Sequence, residues 1–120
     1  MSPTGSTLPG ASRAYVAPAK LRDYLLSATH PIGGSKARFF ARVGLGAAAW
    51  PALRRAIEAI AADGEAEPGA ATLFGQKYVV RGTIQGPGGR AASIVTIWIV
   101  LATEDFPRFI TAYPEKTHAQ

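Results

Sequence analysis

The sequence contains no cysteine, which excludes disulfides, thiolate metal sites and thiol nucleophiles in one step. Histidine is nearly as scarce. The two present, His30 and His118, are far apart in sequence and have no acidic cluster beside them, so no zinc-ligand spacing arises. Acidic residues number only 8 of 120, half of them between Glu58 and Glu67, which disfavours two-carboxylate hydrolysis and two-metal catalysis. Long apolar runs are missing too. The longest, Ile94 to Ala102, contains Thr96 and is far short of the ~20 residues of a membrane helix, so it is expected to be a strand. No basic n-region precedes an apolar stretch near Met1, so no secretory signal is expected.

The sequence does carry positive charge: 13 Lys and Arg give a net charge of +5. A basic surface concentrates polyanions, so RNA, DNA or an acidic protein becomes a candidate partner. A hydrophobic fraction of 48% in 120 residues suits one core and one domain. With no membrane segment or cysteine, a cytoplasmic protein without cofactor or metal is expected.

Residues 1–14 are rich in Ser, Thr, Gly and Pro and are expected to form a flexible leader, with one domain over 15–114 and a tail over 115–120. Leu21, Tyr24 and Leu25 recur at helical spacing after Pro18. A loop, Thr29-His30-Pro31-Ile32-Gly33-Gly34, then leads to Ser35 as N-cap of a helix over Lys36 to Val43 with Phe39, Phe40 and Val43 inward. A third helix begins around Pro51, faces the core with Leu53, Ile57 and Ile60, and ends at Asp63-Gly64. Glu65 to Ala71 has the composition of an acidic connector.

The period then changes from 3.6 to 2. Strands are expected at Gln76–Ile84, Ala92–Leu101 and Pro107–Ala112, the first two joined by Gln85-Gly86-Pro87-Gly88-Gly89-Arg90, with Leu73-Phe74 as a short additional edge strand. The expected fold class is therefore α+β: two to three N-terminal helices packed on one face of an antiparallel sheet of three to four strands.

Alternation assigns side chains to faces. If the helices cover the mostly aliphatic face, the other face displays Lys77, Arg81, Thr83, Thr96, Trp98, Thr111 and Tyr113. Cations and aromatic rings on an open sheet suit RNA, whose bases stack; a merely half-solvated sheet shows the same alternation. Strict parity leaves Arg108 on the side opposite Thr111. His30, in its loop ahead of Lys36 and Arg38, has the pKa range of a general acid or base; a histidine bonded to loop backbone is the plainer alternative. The Gly86–Gly89 loop joins two strands and lacks the Lys of a P-loop, so it is no phosphate cradle of that kind.

Several runs together resemble an uncharacterised bacterial domain family: Lys20-Leu21 through Leu26, His30-Pro31 with Gly33-Gly34, Lys36-Ala37, Phe39-Phe40, Gly75 to Val80, Gly86-Pro87, Val95 to Trp98 and Pro107 to Pro114. The resemblance covers about Tyr15 to Pro114 and implies a toxin-like setting. More distantly, the element order resembles the barnase, colicin and RelE-type ribonucleases. That likeness implies a toxin of a toxin–antitoxin or polymorphic-toxin system acting as a metal-independent ribonuclease, held in check by a small acidic antitoxin or immunity protein. On it, His30, Lys36, Thr111 and Tyr113 are the candidate catalytic residues, and Lys77, Arg81, Trp98 and Arg108 the candidate RNA contacts. The alternative is a non-enzymatic module binding an acidic protein or nucleic acid through the same face. A third possibility is an accessory protein pairing its sheet edge with a partner strand.

Overall fold

The computed structural model describes residues 7–21 and 34–115. Its helices are α1 (Pro18–Lys20), α2 (Gly34–Arg42) and α3 (Trp50–Asp63), with short 3₁₀ turns at Ala11–Arg13 and Ala47–Ala49. Four strands follow: β1 (Ala66–Ala71), β2 (Gly75–Gln85), β3 (Ala91–Leu101) and β4 (Pro107–Pro114). They form one antiparallel sheet in the order β1-β2-β3-β4, as short connections require. The α+β architecture expected from the sequence is the observed one. Among the described residues no helix is long and apolar enough to cross a membrane.

α3 forms where expected. Pro51 sits in its first turn, Leu53, Ile57, Ile60 and Ala61 are buried, and Gly64 follows its last residue. Its inner stripe packs on β2, where Gly82 lets the helix approach: a Cβ there would lie 2.6 Å from Ile60 Cγ1. Val80, Ile84, Ile94, Trp98, Phe109 and Ala112 complete the sheet side of the core, and Phe40 of α2, Leu21 and Val16 fill the rest.

Four expectations change. Glu65 to Ala71 is not a connector, because Ala66–Ala71 pairs with β2; Pro68 is accommodated because β1 is an edge strand. Leu73 and Phe74 form the turn instead, at 94% and 75% exposure, with the Thr72 hydroxyl accepting from the Phe74 and Gly75 amides. The fold also begins before Tyr15. Leu8 is 1% exposed, and Arg13 donates to the Asp105 carboxylate at 2.7 Å, so residues 7–14 pack with the domain.

The largest change concerns β3. The register sets Thr96 opposite Val80 and Trp98 opposite Tyr78, on the core face, and both are 0% exposed. The aliphatic row Val95, Ile97 and Ile99 therefore lies on the other face. Burying Trp98 removes the larger apolar area from water, and its one polar atom is satisfied inside: Nε1 donates to Thr96 Oγ1 at 2.8 Å, which itself donates to the Val80 carbonyl at 2.7 Å. Phe109 meets the Trp98 ring edge-on with centroids 5.5 Å apart. A polar residue inside a strand was thus a core hydrogen-bond partner.

Candidate functional site

The face away from the helices carries Lys77, Val79, Arg81 and Thr83 on β2, Val95, Ile97 and Ile99 on β3, and Arg108, Thr111 and Tyr113 on β4. Arg108 joins this face through an irregularity in β4. Thr111 pairs with Ile97 but Phe109 pairs with Trp98, so Ile110 is an extra residue that reverses the parity beyond it. Strict alternation had put Arg108 on the opposite side.

The centre of this face is apolar. Val95 is buried, and Val79, Ile97 and Ile99 are half-buried. Two of its cations are committed to carboxylates. Arg81 bonds Glu67 at 3.0 Å from Nη1 and Glu115 at 3.2 Å from Nε, which together hold its pKa above the usual value. Arg108 grips Glu104 with two bonds, 2.8 Å from Nε and 2.7 Å from Nη2, and lies over the Tyr15 and Phe106 rings. That grip holds the Glu104 carboxyl below its ordinary range. Lys77 is exposed on the face and in no ion pair with a described residue. Trp98, expected to stack on bases, is in the core and cannot.

The expected catalytic residues come together in part. Lys36, in the first turn of α2, donates from Nζ to the Thr111 hydroxyl at 3.1 Å, across 75 positions of sequence. Tyr113 follows two residues along β4, on the same face and 39% exposed. An ammonium and a hydroxyl thus meet at the outer strand of the sheet, with a phenol on the same face two residues further along it, groups able to hold an oxyanion and to supply a proton. His30 lies outside the described residues. Among the described residues no group of three His, Cys, Asp or Glu side chains gathers as metal ligands do.

Sequence reasoning missed the acids. Glu67, Glu104 and Glu115 lie far from one another along the chain and become partners of Arg81 and Arg108 through the β1–β2 register, the β3–β4 turn and the end of β4. Only the i,i+4 spacing of Glu104 and Arg108 was a visible signal.

Among curated protein sequences there is no match. Among solved structures, the fold is similar to a chain of a contact-dependent growth inhibition toxin–immunity protein complex from Klebsiella pneumoniae 342. The TM-score is 0.68 at 19% identity, over 90% of this chain and 98% of that one. Residues 7–116 match the family described as domain of unknown function DUF6883, and the chain belongs to that family.

Proposed function

We propose that this protein is a toxin domain that cleaves RNA without a metal, using the Lys36–Thr111 pair on β4 as the centre of its site. The observation that carries the reading is the 3.1 Å contact from Lys36 Nζ to Thr111 Oγ1, which joins two residues that the likeness to small ribonucleases names as candidates, though they stand far apart in sequence. The similarity of fold to one chain of a toxin–immunity complex supports it. In the reaction a ribose 2′-hydroxyl attacks the adjacent phosphorus, its proton passing to the His30 imidazole. The Lys36 ammonium, steadied by Thr111, stabilises the extra negative charge on the phosphorane. The Tyr113 phenol gives a proton to the departing 5′-oxygen, leaving a 2′,3′-cyclic phosphate. Each step uses a group whose chemistry fits it. A small acidic immunity protein is the partner this reading calls for, because a basic toxin is readily blocked by a surface of opposite charge.

A second reading is favoured by the neutralised arginines. With Arg81 and Arg108 tied to Glu67, Glu115 and Glu104, the apolar centre of Val79, Val95, Ile97 and Ile99 suits this face to a protein partner, as in a non-enzymatic binding module. Tight induction in a bacterium, beside a His30→Ala version, separates the two. The ribonuclease reading predicts growth arrest with fragmented RNA, relieved by the substitution. Normal growth and intact RNA at confirmed expression would favour the binding module.

A further inference from the structure

Four of the eight described arginines, Arg13, Arg54, Arg81 and Arg108, have a carboxylate partner. The other four are Arg38, Arg42, Arg55 and Arg90, and three of these gather at one place. Arg38 and Arg42 are one turn apart on α2, on the side opposite buried Phe40, and both are exposed. Arg90, from the β2–β3 turn, donates from Nη1 to the Arg42 carbonyl at 3.2 Å, at the electronegative C-terminal end of the helix.

That placement is fixed by packing. The turn holding Arg90 is pressed against the end of α2: a Cβ on Gly86 would overlap the Val43 carbonyl oxygen, and one on Gly44 would lie 3.3 Å from Pro87 Cδ. Gly86 also closes the turn by donating its amide to the Arg90 carbonyl at 2.8 Å. The turn therefore brings a third guanidinium to a helix that already carries two. Like charges at i,i+4 oppose folding, and no described carboxylate offsets them. Such a cluster is relieved when a polyanion occupies it.

We infer that Arg38, Arg42 and Arg90 form a phosphate-binding ridge over α2 that holds the backbone of single-stranded RNA next to the Lys36–Thr111 site. The inference rests on the ribonuclease reading for the identity of the polyanion, while the ridge itself rests on the charge cluster. Lys36 and Arg42 are six residues apart on one helix, about 9 Å along its axis. Lys36 projects from the Phe40 side of the helix and Arg38 and Arg42 from the opposite side, so an RNA strand held on the ridge reaches the Lys36–Thr111 site by passing around α2. Guanidinium groups suit this task because each presents a planar fork to phosphate oxygens.

The test is fluorescence anisotropy of the full chain with a labelled 2′-O-methyl RNA 20-mer, which lacks the attacking hydroxyl and so reports binding alone. Each phosphate contact to a single strand contributes about 0.7 to the slope of log K against log salt, so three contacts contribute about 2. The Arg38→Gln/Arg42→Gln/Arg90→Gln protein is expected to lose about 2 from that slope and to bind at least tenfold more weakly at low salt. Arg55→Gln, on exposed α3 surface, is expected to keep the slope. A triple variant with unchanged melting temperature and unchanged slope overturns the ridge, even if unmodified RNA is cleaved. Binding that follows the ridge while unmodified RNA stays intact supports the ridge and overturns the ribonuclease reading. Displacement by polyglutamate as effective, charge for charge, as by unlabelled RNA overturns the choice of RNA in favour of an acidic protein.

Discussion

Replacing Thr96 with valine tests how this core is specified. The two side chains have nearly the same shape, so packing against Val80 and Trp98 is kept and only the hydroxyl is lost. That hydroxyl makes two buried bonds, donating to the Val80 carbonyl at 2.7 Å and accepting from Trp98 Nε1 at 2.8 Å. The first is worth about 1 kcal/mol, and stranding the indole N–H costs about 1–3 kcal/mol, so the variant should lose about 2–4 kcal/mol. For a domain of this size that lowers the melting temperature by roughly 8–15 °C. Thr96→Ser keeps the hydroxyl and loses a methyl, so it should cost only about 1 kcal/mol. Because Thr96→Val loses less once the indole is gone, a cycle with Trp98→Phe should show about 1–2 kcal/mol of coupling. Calorimetric or denaturant unfolding gives all four values. A valine variant as stable as the wild type, or more stable than the serine variant, would refute the hydrogen-bond account and place Thr96 on a solvated face.

The remaining predictions concern the turn, the acid response and the site. Gly86→Ala should destabilise the fold sharply, by about 2 kcal/mol or more, because the new Cβ meets the rigid Val43 carbonyl; Gly88→Ala, with no atom within 4 Å, should cost far less in the same denaturant titration. Folding should weaken in acid. Glu104 and Asp105 are held below their usual pKa by Arg108 and Arg13, so the unfolded chain takes up protons at higher pH than the folded one. Their stabilisation is complete above the unfolded carboxyl values and is lost as the pH falls through the folded ones. Thermal melts between pH 7 and 3 should show this loss, with a shallower slope in Glu104→Gln/Asp105→Asn.

The sequence made α3 and the long strands legible because they carry strong local signals: Pro51 at a helix start, apolar residues at helical spacing, and a Gly/Pro turn between alternating segments. β1 was not legible. An acidic stretch containing Pro68 and Gly69 has little strand propensity of its own, and it is extended because β2 offers it an edge. The faces of β3 were visible as two sets, but which set is buried depends on a non-local choice. Val95, Ile97 and Ile99 look more apolar than Ile94, Thr96 and Trp98, yet the second set supplies its own hydrogen bond and an aromatic contact with Phe109. Arg108 was misplaced for a related reason, since nothing near Ile110 announces the irregularity that moves it to the Thr111 side. Of the site, residue types were legible and partnerships were not. Lys36 and Thr111 meet, whereas Arg81 and Arg108 are occupied by acids distant in sequence or across a turn.

The most direct test of the central claim is incubation of purified protein with total bacterial RNA in excess chelator, beside a Lys36→Ala protein of unchanged melting temperature. The account predicts fragments ending in 2′,3′-cyclic phosphate from the wild type, with cleavage slowed at least a hundredfold by the substitution, in line with losing a principal transition-state charge contact. Intact RNA with the wild type, or equal cleavage by both proteins, would contradict it.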